Sequence, residues 1–144
     1  MYYLTKNFRF EAAHALVGYD GKCRNIHGHS YELQVTVKGL PINDENNPKN
    51  GMVIDFHELK GIVNEEIVNR LDHSFIVGDN MPDDFVNIVE CNFDKVVRVP
   101  YQPTTENMLN DFACRIKNKL PQNVSLYSVR LQETRDSFAE WREE

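Results

Sequence analysis

His27-Gly28-His29-Ser30-Tyr31-Glu32-Leu33-Gln34-Val35-Thr36-Val37-Lys38 is the stretch that decides the fold of this 144-residue chain. Tyr31, Leu33, Val35 and Val37 fall on one side of an extended backbone, and Ser30, Glu32, Gln34, Thr36 and Lys38 on the other. Strict alternation of this kind marks a strand of an antiparallel sheet with one buried and one solvated face. Upstream, residues 2–14 repeat the pattern: Leu4, Phe8, Phe10, Ala12 and His14 share one parity, and Thr5, Asn7, Arg9 and Glu11 take the other. Downstream, a polar loop over 40–51 is punctuated by Pro41, Pro48 and Gly51. Met52-Val53-Ile54 then reads as a short strand feeding a helix.

That helix has Asp55 as its N-cap, with Glu58 three residues on completing a capping-box pattern, and an apolar stripe of Phe56, Leu59, Val63, Ile67 and Leu71. A second helix opens at Pro103-Thr104-Thr105-Glu106, capped by Thr104 or Thr105. Its stripe is Leu109, Phe112, Ala113, Ile116 and Leu120, with Cys114 packed beside it, and Pro121 stops it. Residues 95–99 and 124–134 read as two further strands. The expectation is a single α+β domain over 1–144, an antiparallel four-stranded sheet with two helices on one face.

Composition narrows the function classes. Hydrophobic residues make up 41% and charged residues 26%, the balance of a globular chain. No apolar run approaches the ~20 residues that span a bilayer, so no membrane role is expected. Residues 1–7 show no apolar block behind a basic start, so no signal peptide is expected. A net charge of −6 gives no electrostatic reason to expect nucleic acid. Cys23, Cys91 and Cys114 have no framework spacing and read as free thiols of a cytoplasmic protein.

The histidines carry the chemistry. On an extended segment His27 and His29 point the same way, roughly 7 Å apart at Cα, with Gly28 leaving the backbone room. If the first two strands pair as a hairpin, His14 faces them. Three imidazoles and an open fourth position describe a catalytic zinc site, and zinc suits imidazole better than oxygen-seeking magnesium or calcium. The bland alternative is three polar residues at strand ends. Cys23, between Lys22 and Arg24, is placed to act as base or nucleophile, or is a loop cysteine with no role. Asp72-His73 is either an oriented acid–base pair or a favourable helix end. His57 is expected to face solvent.

Taken in order, Phe10-Glu11-Ala12-Ala13-His14, Cys23-x-x-x-His27-Gly28-His29, Val53-Ile54-Asp55-Phe56, Leu71-Asp72-His73, Pro103-Thr104-Thr105-Glu106-Asn107 and Glu133-Thr134 resemble the superfamily of 6-pyruvoyl-tetrahydropterin and 6-carboxytetrahydropterin synthases. The resemblance implies a tunnelling fold, in which three subunits close their sheets into a barrel and two trimers stack into a homohexamer with active sites at subunit interfaces. It implies that His14, His27 and His29 hold Zn2+, that Cys23 moves protons on the substrate side chain, and that Asp72 and His73 form the other acid–base pair. It implies that Glu133 anchors the pterin and that Thr105 and Glu106 help line its site. A carboxylate suits the adjacent N–H donors of a pterin edge, and Glu133 shares a strand face with Val129 and Leu131. Lys22 and Arg24 are candidates for binding the substrate's triphosphate.

Subfamilies differ in the gap between the cysteine and His-Gly-His. Three residues (Arg24, Asn25 and Ile26) match the queuosine-pathway 6-carboxy enzyme, and five match the 6-pyruvoyl enzyme. The implied activity is a zinc-dependent carbon–carbon lyase that converts 7,8-dihydroneopterin triphosphate to 6-carboxytetrahydropterin, acetaldehyde and triphosphate. The alternatives are a 6-pyruvoyl synthase that keeps the side chain whole, and a zinc- and pterin-binding scaffold without turnover. The chain departs from the family after Leu71-Asp72-His73, where Ser74 to Gly78 replace a short turn and residues 79–95 form a longer segment. Substrate choice is the property this departure touches.

Overall fold

The computed structural model describes Met1–Glu144. Two thirteen-residue strands, β1 (Tyr2–His14) and β2 (His27–Gly39), pair antiparallel along their whole length. Their register sets Phe8 opposite Leu33, Phe10 opposite Tyr31, Ala12 opposite His29 and His14 opposite His27. β3 (Ser74–Val77), β4 (Val96–Arg98), β5 (Val124–Thr134) and β6 (Ser137–Arg142) complete one sheet in the order β4-β3-β1-β2-β5-β6.

The sheet has six strands and is mixed, where four antiparallel strands were expected. β3 lies parallel to β1, and β4 parallel to β3. Antiparallel neighbours need only a hairpin, whereas parallel neighbours need a crossover connection. The helices supply it. α1 (Phe56–Val63) runs through a π-helical turn, Asn64–Val68, into α2 (Asn69–Leu71) and carries the chain from β2 to β3. α3 (Asp83–Asn92) carries it from β3 to β4, and α4 (Thr105–Lys117) leads to β5. The helical content is therefore the α1–α2 run, α3 and α4, one helix more than the sequence reading gave.

Leu59, Val63, Ile67 and Leu71 are all at most 2% exposed. Steps of four residues drift by about 40° each on an α-helix of 3.6 residues per turn. The wider π turn absorbs that drift and keeps the four on one stripe. With Leu109, Phe112 and Ile116 of α4 they close over Phe10, Tyr31, Leu33, Val129 and Leu131 of the sheet. Phe10 stacks on Tyr31 at 4.9 Å between centroids, and Phe112 meets its edge. α3 stands outside this core, burying only Val86.

Local details correct the sequence reading. Met52-Val53-Ile54 is no strand; Val53 and Ile54 join the core from a bend, and the Val53 carbonyl accepts from the Asn123 side-chain amide instead of a neighbouring strand. Asp55 caps α1 by accepting from the His57 N–H at 2.8 Å, but Glu58 pairs with Lys49 instead of closing a capping box. Phe56 is exposed, with the Lys6 ammonium of β1 over its ring at 5.9 Å, and Cys114 is exposed because it sits one step round α4 from its apolar stripe. Thr104 is the cap of α4, accepting from the Asn107 N–H. His57 is exposed, as expected.

Candidate active site

The register of β1 and β2 gathers His14, His27 and His29 on the helix-covered face, with ring centroids 4.6 to 5.2 Å apart. One ligand atom from each lies within 4.8 Å of the other two. Gly28 gives the backbone room, as the sequence suggested, and the room is toward β1. A Cβ there would meet the Ala12 carbonyl oxygen at 3.3 Å, so glycine lets β2 lie close to β1.

Hydrogen bonds determine the tautomers. His14 Nδ1 lies 2.7 Å from the Pro103 carbonyl, and His27 Nδ1 lies 2.7 Å from the Asn25 carbonyl. Carbonyl oxygens only accept, so each Nδ1 carries the proton and each neutral ring presents a bare Nε2. Those two Nε2 atoms face each other at 3.1 Å, an arrangement of two lone pairs that calls for a cation between them. His29 Nε2 is buried without a partner. Burial lowers the pKa of His14 and of His29, favouring the neutral, ligating form. The donor set therefore fits a metal held by three nitrogens, with the Pro103 and Asn25 carbonyls already aiming two of the rings.

Glu133, near the end of β5, faces the same pocket. Its Oε1 is 3.6 Å from His14 Nε2 and 3.8 Å from His29 Nε2, beyond hydrogen-bond reach. Glu133, Thr105 and Glu106 together line a cavity of about 170 Å³, closed by Ser137, Phe138 and Ala139 of β6. β5 and the start of α4 thus bring Glu133 against the adjacent pair Thr105 and Glu106, which lie far from it in sequence.

Cys23 sits in a short 3-10 turn, Lys22–Arg24, on the connection between β1 and β2. The Leu16 N–H donates to its carbonyl at 2.9 Å and folds that connection back. The Cys23 thiol is exposed, and Lys22 and Arg24 are exposed without an ion-pair partner.

Asp72 and His73 lie on the other side of β1, where β3 begins. Asp72 Oδ1 accepts from the Glu11 N–H at 2.9 Å, and Asp72 Oδ2 is 3.0 Å from His73 Nδ1. The Glu11 N–H bond is the main cause that holds the Asp72 carboxyl below the usual carboxylate range. His73 has φ +58°, the left-handed region. Neither residue bonds to the three imidazoles or to Glu133.

A family model described as 6-pyruvoyl tetrahydropterin synthase matches residues 3–144. The chain belongs to that family. A curated 6-carboxy-5,6,7,8-tetrahydropterin synthase of Haemophilus influenzae is 37% identical over 99% of this chain and 100% of its own length. One of the same name from Aquifex aeolicus is 31% identical, covering 98% of each chain. Among solved structures, a Caenorhabditis elegans 6-pyruvoyl tetrahydropterin synthase superposes with TM-score 0.68 at 24% identity, over 99% of this chain and 96% of that one. That likeness concerns the fold.

Within this synthase fold, sequence reasoning passed over one side chain of the pocket. Tyr31 is 1% exposed, its hydroxyl has no partner, and its ring lies 5.3 Å from that of His29. Burial, then the adjacent Glu133 charge, push its pKa up, so it stays a neutral donor. Its parity with His27 and His29 was the available signal: a hydroxyl on the strand face that carries the imidazoles. No helix is long and apolar enough to cross a membrane.

Proposed function

We propose that this chain is a zinc-dependent 6-carboxy-5,6,7,8-tetrahydropterin synthase of the queuosine branch. It would convert 7,8-dihydroneopterin triphosphate and one water to 6-carboxytetrahydropterin, acetaldehyde and triphosphate. The observation that carries the reading is the pair of bare Nε2 atoms of His14 and His27, 3.1 Å apart, beside the orphaned His29 Nε2 and the Glu133 carboxylate. The full-length likeness to 6-carboxy synthases and the three-residue gap after Cys23 favour this branch.

Each residue has a part. His14, His27 and His29 would hold the zinc ion, which would supply Lewis acidity to the reaction. Glu133 accepts two parallel N–H bonds from the pterin edge, with Thr105 and Glu106 walling the same cavity. Cys23 exchanges a proton with the side chain from one face. Asp72 holds the Nδ1 of His73, leaving the His73 Nε2 to give and take a proton from the other. Lys22 and Arg24, exposed and unpaired, receive the triphosphate.

Asp72 and His73 stand across β1 from the imidazoles, with His73 and His29 lining one open cavity of about 340 Å³, and the family resemblance implies that such sites are completed between copies. The sheet ends on β4, three residues long, and β6, both with an unpaired edge. Closing such edges into a trimeric barrel, stacked as a hexamer, would remove them. Three exposed free thiols fit a reducing cytoplasm.

The test is to incubate the zinc-loaded protein with 7,8-dihydroneopterin triphosphate and identify the products by mass spectrometry. A 6-carboxy product with acetaldehyde is expected. A 6-pyruvoyl product would move the chain to the other branch, and absence of turnover with zinc bound would leave only a pterin- and metal-binding scaffold.

A further inference from the structure

We infer that Lys95, delivered by the segment 79–95, is a positioning residue that locks the Asp72–His73 peptide and so fixes where the His73 imidazole points. The inference rests on the acid–base role proposed for that pair. The Asp72 carbonyl and the His73 N–H are two ends of one peptide plane. The N–H donates to the Glu11 carbonyl at 2.6 Å, tying that end to β1. At the other end, Lys95 Nζ donates to the Asp72 carbonyl at 2.5 Å and to the Asn69 carbonyl at 2.8 Å. The plane is therefore gripped from both sides.

That grip answers a strain. His73 is the chain's one non-glycine residue at positive φ, a backbone state that an L residue with a Cβ adopts at a cost. Rotating the 72–73 peptide plane is the simplest route out of it, and rotation would break both bonds. An ammonium donor is stronger than a neutral one, and it also suits the carbonyl end of the α1–α2 run. Lys95 is itself placed by its backbone, since its carbonyl accepts from the Phe75 N–H of β3 at 3.0 Å. His73 and Lys95 share one groove of about 760 Å³, whose other walls include Phe75 of β3 and Phe85, Val89 and Phe93. The segment that departs from the family pattern thus reaches back to the pair it follows.

The experiment compares Lys95→Met, which keeps the stem and removes the donor, with Lys95→Arg, which keeps a charged donor. Steady-state kinetics use the zinc-loaded full chain with 7,8-dihydroneopterin triphosphate, and amide hydrogen exchange is read at His73. Lys95→Met should lower kcat roughly tenfold or more, the scale of a misplaced catalytic group, while KM and zinc stoichiometry hold. Exchange at His73 should speed up, and Lys95→Arg should restore both properties. If Lys95→Met does not fold, Lys95→Gln, with a neutral donor, should show the same changes in weaker form. Unchanged kcat, a loss confined to KM, unchanged exchange, or a loss that Lys95→Arg does not restore would overturn the inference. Full activity in both Asp72→Ala and His73→Ala would instead overturn the acid–base reading, and exchange at His73 would still report whether Lys95 holds the turn.

Discussion

His14 is 1% exposed and hangs from a thirteen-residue strand paired at every position, whereas the His73 side chain is 77% exposed on a two-residue turn. The three-histidine pocket takes its geometry from the core: the register that stacks Phe10 on Tyr31 also sets His14 opposite His27. The Asp72–His73 turn has no such support beneath it. Its shape is held by backbone bonds to Glu11 and by the Lys95 ammonium, against the preference of its own φ. A buried side chain such as His14 is fixed by packing together with the bond its ring makes to the Pro103 carbonyl. One that must exchange protons has to stay exposed, so polar bonds hold it where packing cannot.

The contrast can be broken most severely at the pocket. His27→Ala should abolish tight zinc binding and, with it, turnover, as read by metal analysis and product formation. The remaining His14 and His29 offer two nitrogens where a catalytic zinc site needs three protein ligands. At the turn the expectation reverses. His73→Gly should lower kcat by about 10² to 10⁴, the usual contribution of a general acid–base group, with zinc stoichiometry unchanged. The same change relieves a left-handed histidine, so thermal unfolding should show stability unchanged or raised by up to ~1 kcal/mol. A variant that lost both zinc and stability would erase the distinction between the two regions.

Smaller effects sharpen it. Glu133→Gln should raise KM roughly ten- to hundredfold, the worth of hydrogen bonds to a charged group, with less effect on zinc affinity, measured by titration. Asp72 should give the smallest signal. Its carboxyl is held below the usual range, chiefly by the Glu11 N–H, so its contribution to stability is present above about pH 4 and fades as pH falls through the lowered value. Denaturant midpoints between pH 5 and 2 should show that slope in the native chain and lose it in Asp72→Asn. Because the side chain is 40% exposed, solvent screening keeps the change small.

The two regions also differed in how far the sequence revealed them. Alternation over β1 and β2 was strong enough to place His14, His27 and His29 together, the cap of α1 followed from Asp55, and that of α4 was narrowed to Thr104 or Thr105. β3 is four residues long and three-quarters apolar, so period-2 alternation had nothing to act on. Its parallel pairing depends on where the α1–α2 run deposits the chain, which no local pattern records. α3 and β6 did leave signals: Pro82-Asp83-Asp84 before Phe85, Val86 and Val89, and Ala139 and Trp141 alternating with exposed Phe138, Glu140 and Arg142. The role proposed for Asp72 and His73 came from family resemblance rather than spacing. The part assigned to Lys95 was illegible, because its partners are backbone carbonyls that any residue carries.

On the proposed function, the buried pocket and the exposed turn are halves of one site that meet between copies of the chain. The most direct test is to co-express His27→Ala, which lacks a complete pocket, with His73→Ala, which lacks the turn's acid–base group, and to assay the mixed oligomers after confirming their composition by native mass spectrometry. Each variant alone should be inactive. In the mixed oligomers some pockets from one chain would face intact turns from the other, and formation of 6-carboxytetrahydropterin should return to a substantial fraction of the native rate. Mixed oligomers as inactive as their parents would contradict the account and place both halves in the same copy.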